Sequence, residues 1–374
     1  MNGDQVKTPT LGITVCKTRG TPPFHETAYF KQLTREGQKL GIRVIVFCPK
    51  DVDWARRSVS AWRYSVRRGQ WIAACYPLPM LIYDRCYYSN TRHYLEYKPY
   101  VNKLATDPQI RLLGRPLGGK WQTYTFLAED PDLRPHLPET RCLTTMQDLY
   151  TILGRYRSAV IKPNGGSHGQ GVAAILPGKD GIRVRGRTRS NQTFDHRLAN
   201  RSQMEQWISR FTHGSRYVVQ PYLPLCTKDG RPFDVRILMQ KGERGDWVQT
   251  GMAVRVGKPQ TLTSNLHGGG KAVKAEAFFS RHYAPELRTH ILEKLQWLST
   301  QVPIRIESRH GRMVEVGLDV GVDPQGRVWL LEVNSKPGRS VFLLTGEKEI
   351  RRRSIELPMR YARALLDGQV GGSL

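Results

Sequence analysis

The sequence predicts a mixed α/β protein with more than one domain, and three stretches lead to this prediction. A strand–helix–strand pattern opens the chain at 11–49, a glycine-rich segment lies between two strands at 158–175, and two strands at 314–334 carry acidic residues. A β-α-β opening is typical of parallel sheets. With 374 residues, the chain is long enough for two or three domains and a sizeable core.

The opening region predicts a small parallel α/β domain over residues 1–117. "LGITVCK" is typical of a buried strand, and "HETAYFKQLTREGQKLG" has the apolar spacing of a helix, with Tyr29 and Leu33 near one face. "IRVIVFCP" follows as a second strand. A further strand is expected at 79–86 and a helix at 93–105.

The remaining chain predicts two subdomains and a helical tail, at 118–215, 216–345 and 346–374. Helices are expected at "KWQTYTFLAED", "TTMQDLYTILGRY", "SQMEQWISRF" and "PELRTHILEKLQWLST". The tail is expected to be helical with a break at Pro358, because proline interrupts a helix. Strands are expected on both sides of the glycine-rich segment and at 182–189, 216–223, 233–241, 246–257, 314–322 and 327–334.

The formal net charge of +26 indicates a partner that carries negative charge. Basic residues are spread along the chain, and a basic field attracts nucleotides, nucleic acids and acidic polymers alike. The chain has no recognised nucleic-acid-binding module, so specific nucleic-acid binding is not expected. An alternating set of arginines is expected on a solvated or polyanion-facing surface: Arg183, Arg185, Arg187 and Arg189.

The cysteines and the apolar runs predict a cytosolic protein. Six cysteines lie far apart without a Cys-x-x-Cys pair, which argues against a zinc site or a disulfide framework and favours buried, reduced thiols. No apolar run approaches the ~20 residues of a membrane helix. The first residues, "MNGDQVKTPT", lack the pattern of a signal peptide.

The stretch "SAVIKPNGGSHGQGVAAI" indicates a loop that binds phosphate. Gly165, Gly166, Gly169 and Gly171 allow positive φ angles and a close approach of the backbone to a ligand. Successive free N–H groups in such a loop form an anion-binding nest. Lys162, at the end of the preceding strand, can place a positive charge on a phosphate. The alternative is an ordinary glycine-rich turn.

The residues after the glycines exclude two familiar phosphate-binding loops, and the position of the lysine argues against a third. A Walker A loop needs a lysine after the glycines and leads into a helix, and a Rossmann fingerprint also opens a helix. Here "VAAILP" is a strand signal. A protein-kinase loop has its lysine downstream, and the chain has neither an HRD nor a DFG motif. The interpretation that remains is a hairpin flap that lies over the phosphates of a nucleotide.

The stretch "GLDVGVDPQGRVWLLEVNSKPG" predicts an antiparallel hairpin that binds a metal ion. Glu332 and Asn334 lie two residues apart on one strand and therefore share a face. The turn "DPQG" brings that strand beside Asp319. Three hard oxygen ligands suit Mg²⁺, or Mn²⁺, bound together with nucleotide phosphates. The alternative is a strand carboxylate held in a salt bridge.

These motifs, in this order, resemble the ATP-grasp superfamily from about Lys120 to Gly338. The series comprises the flap, "VVQPYL", "FDVRIL", "SNLHGG" and the D…ExN pattern. "FHETAYFKQLTREGQKLGIRVIVFCP", "YDRCYYSN" and "GKWQTYTFL…LRPHLPET" are similar to the YheC/YheD-type endospore coat-associated family. The resemblance implies two α+β subdomains that grip ATP behind an N-terminal Rossmann-like pre-ATP-grasp domain.

The resemblance also implies a role for each matching residue. Arg236 and Lys162 are the implied catalytic residues, with Arg236 facing the transferred phosphate. Asp319, Glu332 and Asn334 match the metal ligands. The residues implied in binding ATP are Lys120, Lys162, Gly165, Gly166, Ser167, Gly169, Gly171, Gln220, Pro221, Tyr222, Asp234, Arg255 and Asn265.

One position departs from the ribosomal-protein glutamate ligase branch of the superfamily. That branch carries an arginine two residues before the asparagine at 265, where this chain has Thr263. The resemblance therefore implies no amino-acid specificity. Asn265 and Gly268 belong to the segment near the acceptor site.

The resemblance implies a ligase that joins a carboxylate to an amine or thiol through an acyl phosphate, using ATP and Mg²⁺. Its substrates stay unidentified, although acidic or polymeric ones suit the basic chain. The alternative is a non-catalytic component of the endospore coat, whose basic surface binds coat proteins or polyanions. The expected location is the cytoplasm or the endospore coat.

Overall fold

The structure is a computed structural model that describes residues 8–166, 169–259, 261–262, 264 and 269–370. Over these residues the strands form three sheets. No helix among them is long and apolar enough to cross a membrane.

The first sheet contains the predicted β-α-β unit. Its elements are β1 (Thr10–Thr14), α1 (Thr27–Lys39), β2 (Arg43–Asp53), β3 (Ser58–Ser65), β4 (Gln70–Pro77), β5 (Leu81–Asp84), α2 (Thr91–Thr106) and β6 (Arg111–Leu113). The strand order is β4-β3-β2-β1-β5-β6. The pairs β2–β1, β1–β5 and β5–β6 are parallel.

An antiparallel hairpin of β3 and β4 extends this sheet and is missing from the prediction. Its first strand lies in "RRSVSAWRYSVRRG", where the arginines dominate the pattern. Val59 and Ala61 are nevertheless buried, with the exposed Ser60 between them. The alternation expected of a half-buried strand is present, but it is short and surrounded by charge.

The second sheet carries the glycine-rich segment. The elements of this part are α3 (Lys120–Ala128), a 3₁₀ turn (Arg134–His136), β7 (Arg141–Cys142), α4 (Met146–Tyr156), β8 (Ala159–Pro163), β9 (Val172–Gly178), β10 (Gly181–Arg187), β11 (Thr193–Leu198), α5 (Arg201–Thr212) and β12 (Tyr217–Pro221). The order is β11-β10-β9-β8-β12-β7, and neighbouring strands are antiparallel.

Helices α4 and α5 cover one face of the second sheet. Ile161, Val184 and Val219 point to this face and share a core with Leu149 and Met204 from the helices. Since side chains alternate along a strand, the residues between them point to the opposite face. That opposite face carries Lys162 and the arginines of β10.

The third sheet carries the acidic hairpin. Its elements are β13 (Phe233–Lys241), β14 (Trp247–Val256), β15 (Lys271–Lys274), α6 (Ala275–His282), α7 (Pro285–His310), β16 (Glu315–Val322) and β17 (Val328–Asn334). The order is β15-β14-β13-β16-β17, with antiparallel neighbours. Leu295 and Val302 of α7 pack against Ile237 and Leu318, so α7 covers one face. Part of the opposite face is covered by the chain that follows β17, because Leu238 and Ala253 lie in one buried cluster with Val341 and Phe342.

The predicted break at Pro358 is wrong. Two helices follow the third sheet, α8 (Ser340–Leu344) and α9 (Lys348–Leu366), and α9 runs through Pro358. Proline has no N–H, so the carbonyl of Ser354 loses its helical donor. That carbonyl accepts hydrogen bonds from Gln240 Nε2 at 3.0 Å and from Arg339 Nε at 3.3 Å. Because these donors satisfy it from outside the helix, α9 continues without a break.

Helix α9 completes the core of the first sheet. Met359 and Leu365 of α9 lie in one buried cluster with Phe30 and Leu33 of α1 and Val44 of β2. The segment predicted as a tail is therefore part of the body of the protein.

The six cysteines are free thiols, but the expectation that they are buried is wrong for Cys75. Cys75 is exposed on the edge strand β4. Cys16, Cys48 and Cys86 are buried, in one cluster at the ends of the parallel strands. The other two are partly exposed: Cys142 and Cys226.

A buried ion cluster around Glu315 joins the first sheet to the third. The Glu315 carboxylate accepts hydrogen bonds from Arg85 Nη1 at 2.8 Å, Tyr83 Oη at 2.6 Å and Gln240 Nε2 at 2.8 Å, and it is paired with Arg339. Burial favours the neutral acid, but the guanidinium groups of Arg339 and Arg85 outweigh it and hold the pKa of Glu315 below its usual value.

Replacing Glu315 with Gln should lower the free energy of unfolding by about 3 kcal/mol or more, because it leaves two buried guanidinium groups without their shared carboxylate. Arg85 and Arg339 would both lose this partner. The midpoint of urea unfolding, followed by tryptophan fluorescence, measures the effect. Glu349→Gln is the control, since its exposed pair with Arg352 should contribute nothing measurable. An unchanged midpoint for Glu315→Gln would contradict the prediction.

Candidate functional site

The face of the third sheet opposite α7 carries alternating acids and arginines. β13 places Asp234 and Arg236 two residues apart, and the register sets Asp234 opposite Arg255 and Arg236 opposite Asp319. Arg236 holds Asp319 through Nε–Oδ1 at 2.5 Å and Nη2–Oδ2 at 3.1 Å. Arg255 contacts both acids, with Nη2 3.0 Å from Asp319 Oδ1 and Nε 3.0 Å from Asp234 Oδ2. Residues predicted from separate motifs are thus in direct contact.

These pairings fix the charge states on this face. Burial alone would raise the pKa of Asp319, but the guanidinium groups of Arg236 and Arg255 hold it below its usual value. Asp234 and Asp319 in turn raise the pKa of Arg255, although its burial acts in the opposite direction. Asp319 is therefore an anion matched by two fixed cations.

The predicted hairpin of β16 and β17 is confirmed and brings the three expected metal ligands together. Asp319 lies opposite Glu332, and Asn334 follows on the same face of β17. Asn334 Nδ2 is 3.4 Å from Asp319 Oδ2. Two carboxylates and an amide thus lie side by side on neighbouring strands.

Lys120 connects the glycine flap to the acidic hairpin. It is the first residue of α3, and its backbone N–H donates to Asn164 O at 2.8 Å. Its Nζ donates to Gly166 O at 2.9 Å and lies 3.2 Å from Glu332 Oε1. The Lys120 side chain is only 16% exposed, so it is not an ordinary surface lysine.

Lys162 lies on β8 with its ammonium group facing the same region. Burial is the main cause that lowers the pKa of Lys162 to about 8, and the positive charge of Lys120 lowers it further. Glu332 and Asp319 act in the opposite direction. Lys162 therefore changes charge close to neutral pH, and an added anion would favour its protonated form.

The flap backbone has the conformation that its glycines make possible. Gly166 and Gly171 have φ angles of 105° and 67°, which side-chain-bearing residues rarely adopt. At Gly165 and Gly166, a Cβ atom would have no described residue within 4 Å. With respect to the described residues, the backbone at Gly165 and Gly166 is therefore open on the side where a Cβ would lie.

The predicted hinge lies at the end of β12. The Gln220 amide donates to Thr140 Oγ1 at 2.7 Å, which fixes that side chain away from any ligand. Pro221 ends the strand. Tyr222 follows, and its hydroxyl accepts a hydrogen bond from Arg185 Nη2 at 3.0 Å. The Tyr222 N–H donates to Ser158 O at 3.2 Å, so this segment is held to β8 by its backbone as well.

The prediction that the alternating arginines face solvent is wrong for Arg187 and only partly right for Arg185. Arg187 is 6% exposed and donates to Asn191 Oδ1 at 3.0 Å, and Arg185 is half-buried. Both lie on the face of the second sheet that carries Lys162. Alternation in the sequence shows that they share a face, but it does not show which face the helices cover.

Some predicted residues lie outside the part of the chain that the structure describes. They are Ser167 in the flap, and Thr263, Asn265 and Gly268 in the segment near the acceptor site. Ser264 is described and contacts Asp234 through its hydroxyl. Asp234 is therefore held between Arg255 and Ser264.

The oxygen donors of the hairpin fit Mg²⁺. Among the described residues, no group of three His, Cys, Asp or Glu side chains could hold a metal ion. The hairpin instead offers Asp319, Glu332 and the amide oxygen of Asn334, which are hard donors and form a partial ligand set. Mg²⁺ usually takes one or two carboxylates and completes its shell with phosphate and water.

The chain belongs to the YheC/D-like ATP-grasp family. Residues 109–365 match the sequence profile of this family, which is more than half of the chain. The resemblance inferred from the motifs is confirmed, and so is the ATP-grasp fold of mixed α/β type.

Two relatives from Bacillus subtilis (strain 168) are similar over most of the chain. The endospore coat-associated protein YheC is 29% identical over 348 residues, which cover 92% of this chain and 94% of YheC. The endospore coat-associated protein YheD is 26% identical over 338 residues, which cover 89% of this chain and 72% of YheD.

A solved structure of D-cycloserine synthetase DcsG has the same fold. It superposes with a TM-score of 0.55, covering 96% of this chain and 99% of that chain at 14% sequence identity. At this identity the likeness shows the fold alone.

The pKa of Lys162 should move in opposite directions when its two neighbours are changed. Lys120→Met removes a positive charge and should raise the pKa above about 8, whereas Glu332→Gln removes a negative charge and should lower it. NMR titration of ¹³C-methylated lysines measures both shifts, with Lys162→Arg to assign the resonance. The exposed Lys179 serves as a control that neither change should affect. Parallel shifts in the two variants would contradict this arrangement.

Proposed function

We propose that the protein binds ATP with Mg²⁺ between the glycine flap and the acidic hairpin. The observation that carries this proposal is the position of Lys120, which contacts the flap at Gly166 and the hairpin at Glu332. The proposed phosphate-binding loop and the proposed metal ligands are therefore only one side chain apart. Membership of the ATP-grasp family supports the same assignment.

Nucleotide binding would exchange the partners of the charged groups. Lys120 is paired with Glu332, and Arg236 and Arg255 are paired with Asp319. Triphosphate oxygens offer these cations another anion, which frees the carboxylates to bind Mg²⁺. The protonated form of Lys162 would be favoured by the same phosphates, because an opposite charge stabilises the ammonium.

Asp319, Glu332 and Asn334 would hold Mg²⁺, which neutralises the phosphate oxygens when it is bound. Arg236 lies beside Asp319 and is suited to stabilise the charge on the transferred phosphoryl group. Lys162 would act from the opposite side, on β8. The flap, which carries Gly166, would exclude water from the reacting groups.

We further propose that the protein is a carboxylate–amine or carboxylate–thiol ligase. A substrate carboxylate oxygen attacks the γ-phosphorus, the bond from that phosphorus to the β–γ bridging oxygen breaks, and ADP leaves. An amine or thiol then attacks the acyl carbon, inorganic phosphate leaves with the C–O bond electrons, and the nucleophile loses its proton. This route needs no covalent nucleophile from the protein.

The domain boundaries remain part of the proposal. Residues 1–117 would form the pre-ATP-grasp domain, 118–215 the flap subdomain and 216–345 the metal-binding subdomain. The packing of α9 on α1 supports grouping 346–374 with the first domain.

Association with the endospore coat is a proposal for location and partner. The names of YheC and YheD and the net charge of +26 support it. Coat proteins or polyanions would be the anionic partners, and the ligase substrates would be acidic or polymeric. A protein that binds the coat without turnover is the second candidate function, favoured by the same charge.

Calorimetric titration tests the nucleotide site without knowledge of the substrate. Wild-type protein should bind ATP only with Mg²⁺ present, and Lys162→Ala or Glu332→Gln should weaken binding at least about tenfold by removing a phosphate or metal contact. Lys179→Ala is the control, because Lys179 is exposed on the distal turn between β9 and β10. Unchanged binding by both site variants, with circular dichroism showing that they are folded, would reject the site.

Trapping with hydroxylamine tests the acyl phosphate. With ATP, Mg²⁺ and a pool of cell or spore carboxylates, wild-type protein should form hydroxamates and release ADP, and Arg236→Lys should lose most of this activity because it loses the bidentate fork. Lys179→Ala should retain it. Binding of ATP without ADP or hydroxamate in any pool would instead favour the non-catalytic coat component.

A further inference from the structure

Strand β4 forms an edge of the first sheet. The order β4-β3-β2-β1-β5-β6 places it at one end, and within the described part of the chain it pairs with β3 alone. Ala73, Ala74 and Cys75 are exposed in succession. Because successive side chains of a strand point to opposite faces, neither face of β4 is covered here by a described residue. An edge strand with unpaired backbone groups can accept a further strand.

The ladder with β3 shows which backbone groups of β4 face outward. Just beyond the paired residues of the hairpin, the N–H of Leu78 donates to Arg57 O at 2.8 Å. Inward and outward positions alternate along an antiparallel ladder. Trp71, Ala73 and Cys75 therefore direct their N–H and C=O groups away from β3, where no described residue forms a hydrogen bond with them.

The hairpin that ends in β4 carries arginines and no acids. Residues 54–83 contain five arginines and neither Asp nor Glu. Two of the arginines are paired with acids outside this segment, Arg56 with Asp53 and Arg57 with Asp107. The other three are exposed toward the turn end of the hairpin and have no ion pair with any residue that the structure describes: Arg63, Arg67 and Arg68.

Helix α1 adds two cations at the same end of the hairpin. Lys31 Nζ lies 5.1 Å from the centre of the Tyr64 ring, and the guanidinium carbon of Arg35 lies 5.9 Å from it. Tyr64 is paired with Trp71 at the start of β4. Positive charge from two elements of the fold therefore lies beside the first residues of the open edge.

We propose that β4 binds an acidic polypeptide segment in extended form, which adds a strand to the first sheet. The backbone of this segment pairs with the outward groups of Trp71, Ala73 and Cys75, and its carboxylates lie beside the cations at the turn end. In strand addition, main-chain hydrogen bonds provide affinity and side chains provide specificity.

Two other partners fit this edge less well. A nucleic acid matches the positive charge, but it has no backbone amides with which to continue the ladder. A second copy of the chain has the amides, but it carries the same net charge of +26, which opposes self-association. An acidic polypeptide meets both requirements.

The edge is separate from the proposed nucleotide site. β4 and β5 lie on opposite sides of β1 in the first sheet. The contact with the third sheet starts from the β5 side, at Tyr83 and Arg85. Variants of the β3–β4 hairpin should therefore bind ATP like wild-type protein, so a failure of this inference can be told apart from a failure of the proposed function.

Binding of a fluorescent peptide as long as β4, with alternating Glu and Thr residues, tests the inference by anisotropy. The double variant Arg67→Glu, Arg68→Glu should weaken binding at least about tenfold, because it reverses the charge at the turn end. The matched control is Arg210→Glu, Arg353→Glu, which makes the same change at exposed positions of α5 and α9. Its affinity should stay within about twofold of wild type, since distant charges are screened by salt.

Ala73→Pro tests the backbone pairing. Proline removes the outward N–H at this position and no hydrogen bond to β3, and edge strands tolerate it there. It should weaken peptide binding about fivefold or more, whereas Ala73→Ser should bind like wild type. Hydrogen exchange followed by NMR gives a second measurement on wild-type protein. The peptide should protect the amides of Ala73 and Cys75 and leave that of Ala74, which faces β3, nearly unchanged.

Each outcome supports or overturns the inference. Equal affinity for a peptide of alternating Lys and Thr would overturn the role of charge. Wild-type affinity in Ala73→Pro, with no protection of Ala73 and Cys75, would mean that the surface binds charge alone, and tighter binding of oligo-dT would then point to a nucleic acid. Protection of these amides without peptide, increasing with protein concentration, would make a second copy the partner. A wild-type protein that binds ATP but not the Glu peptide would overturn this inference and leave the nucleotide site in place.

Discussion

The position of β16 depends on the buried ion cluster at Glu315. This strand begins at Glu315 and reaches Asp319 four residues later on the same face. At Glu315 it is fixed to the first sheet through Arg85 and Tyr83, and to the chain after β17 through Arg339. Since a buried carboxylate must keep its partners, the strand cannot shift in register without separating these charges. The location of Asp319, and of the acids and arginines around it, depends on this restraint.

The two groups of ion pairs differ in how readily they can change partners. The Glu315 side chain is 0% exposed, and its partners are nearly as buried, so no ligand reaches it. The side chain of Glu332 is 28% exposed and that of Asp319 is 12% exposed. The first group is therefore closed to any ligand, whereas the second is partly open to solvent, as the proposed nucleotide site requires.

The local motifs can be predicted from the sequence, and the long-range contacts cannot. The hairpin with Asp319 and Glu332 is contained in 22 residues of alternating pattern and a turn, so periodicity is enough. The flap is predicted in the same way from its glycines and flanking strands. Asp234 and Arg255 are assigned only by resemblance, because their contact depends on the pairing of β13 with β14.

Two other features could not be predicted from the sequence, because they also depend on contacts between distant parts of the chain. The sequence of β10 shows an arginine at every second position, but burial of Arg187 depends on which face α4 and α5 cover. Considered alone, Pro358 predicts a helix break, because proline has no backbone N–H to donate. The break does not form because donors from Gln240 and Arg339 reach the carbonyl of Ser354, and nothing near Pro358 in the sequence indicates them.

The docking of α9 has a consequence for the order in which the protein can be made. Gln32 of α1 and Arg351 of α9 contact each other across 319 residues of chain. At ordinary ribosomal speeds this separation corresponds to roughly half a minute of synthesis. Throughout that time Phe30, Leu33 and Val44 lack the helix that buries them. The first sheet to leave the ribosome is thus the last to have its core completed.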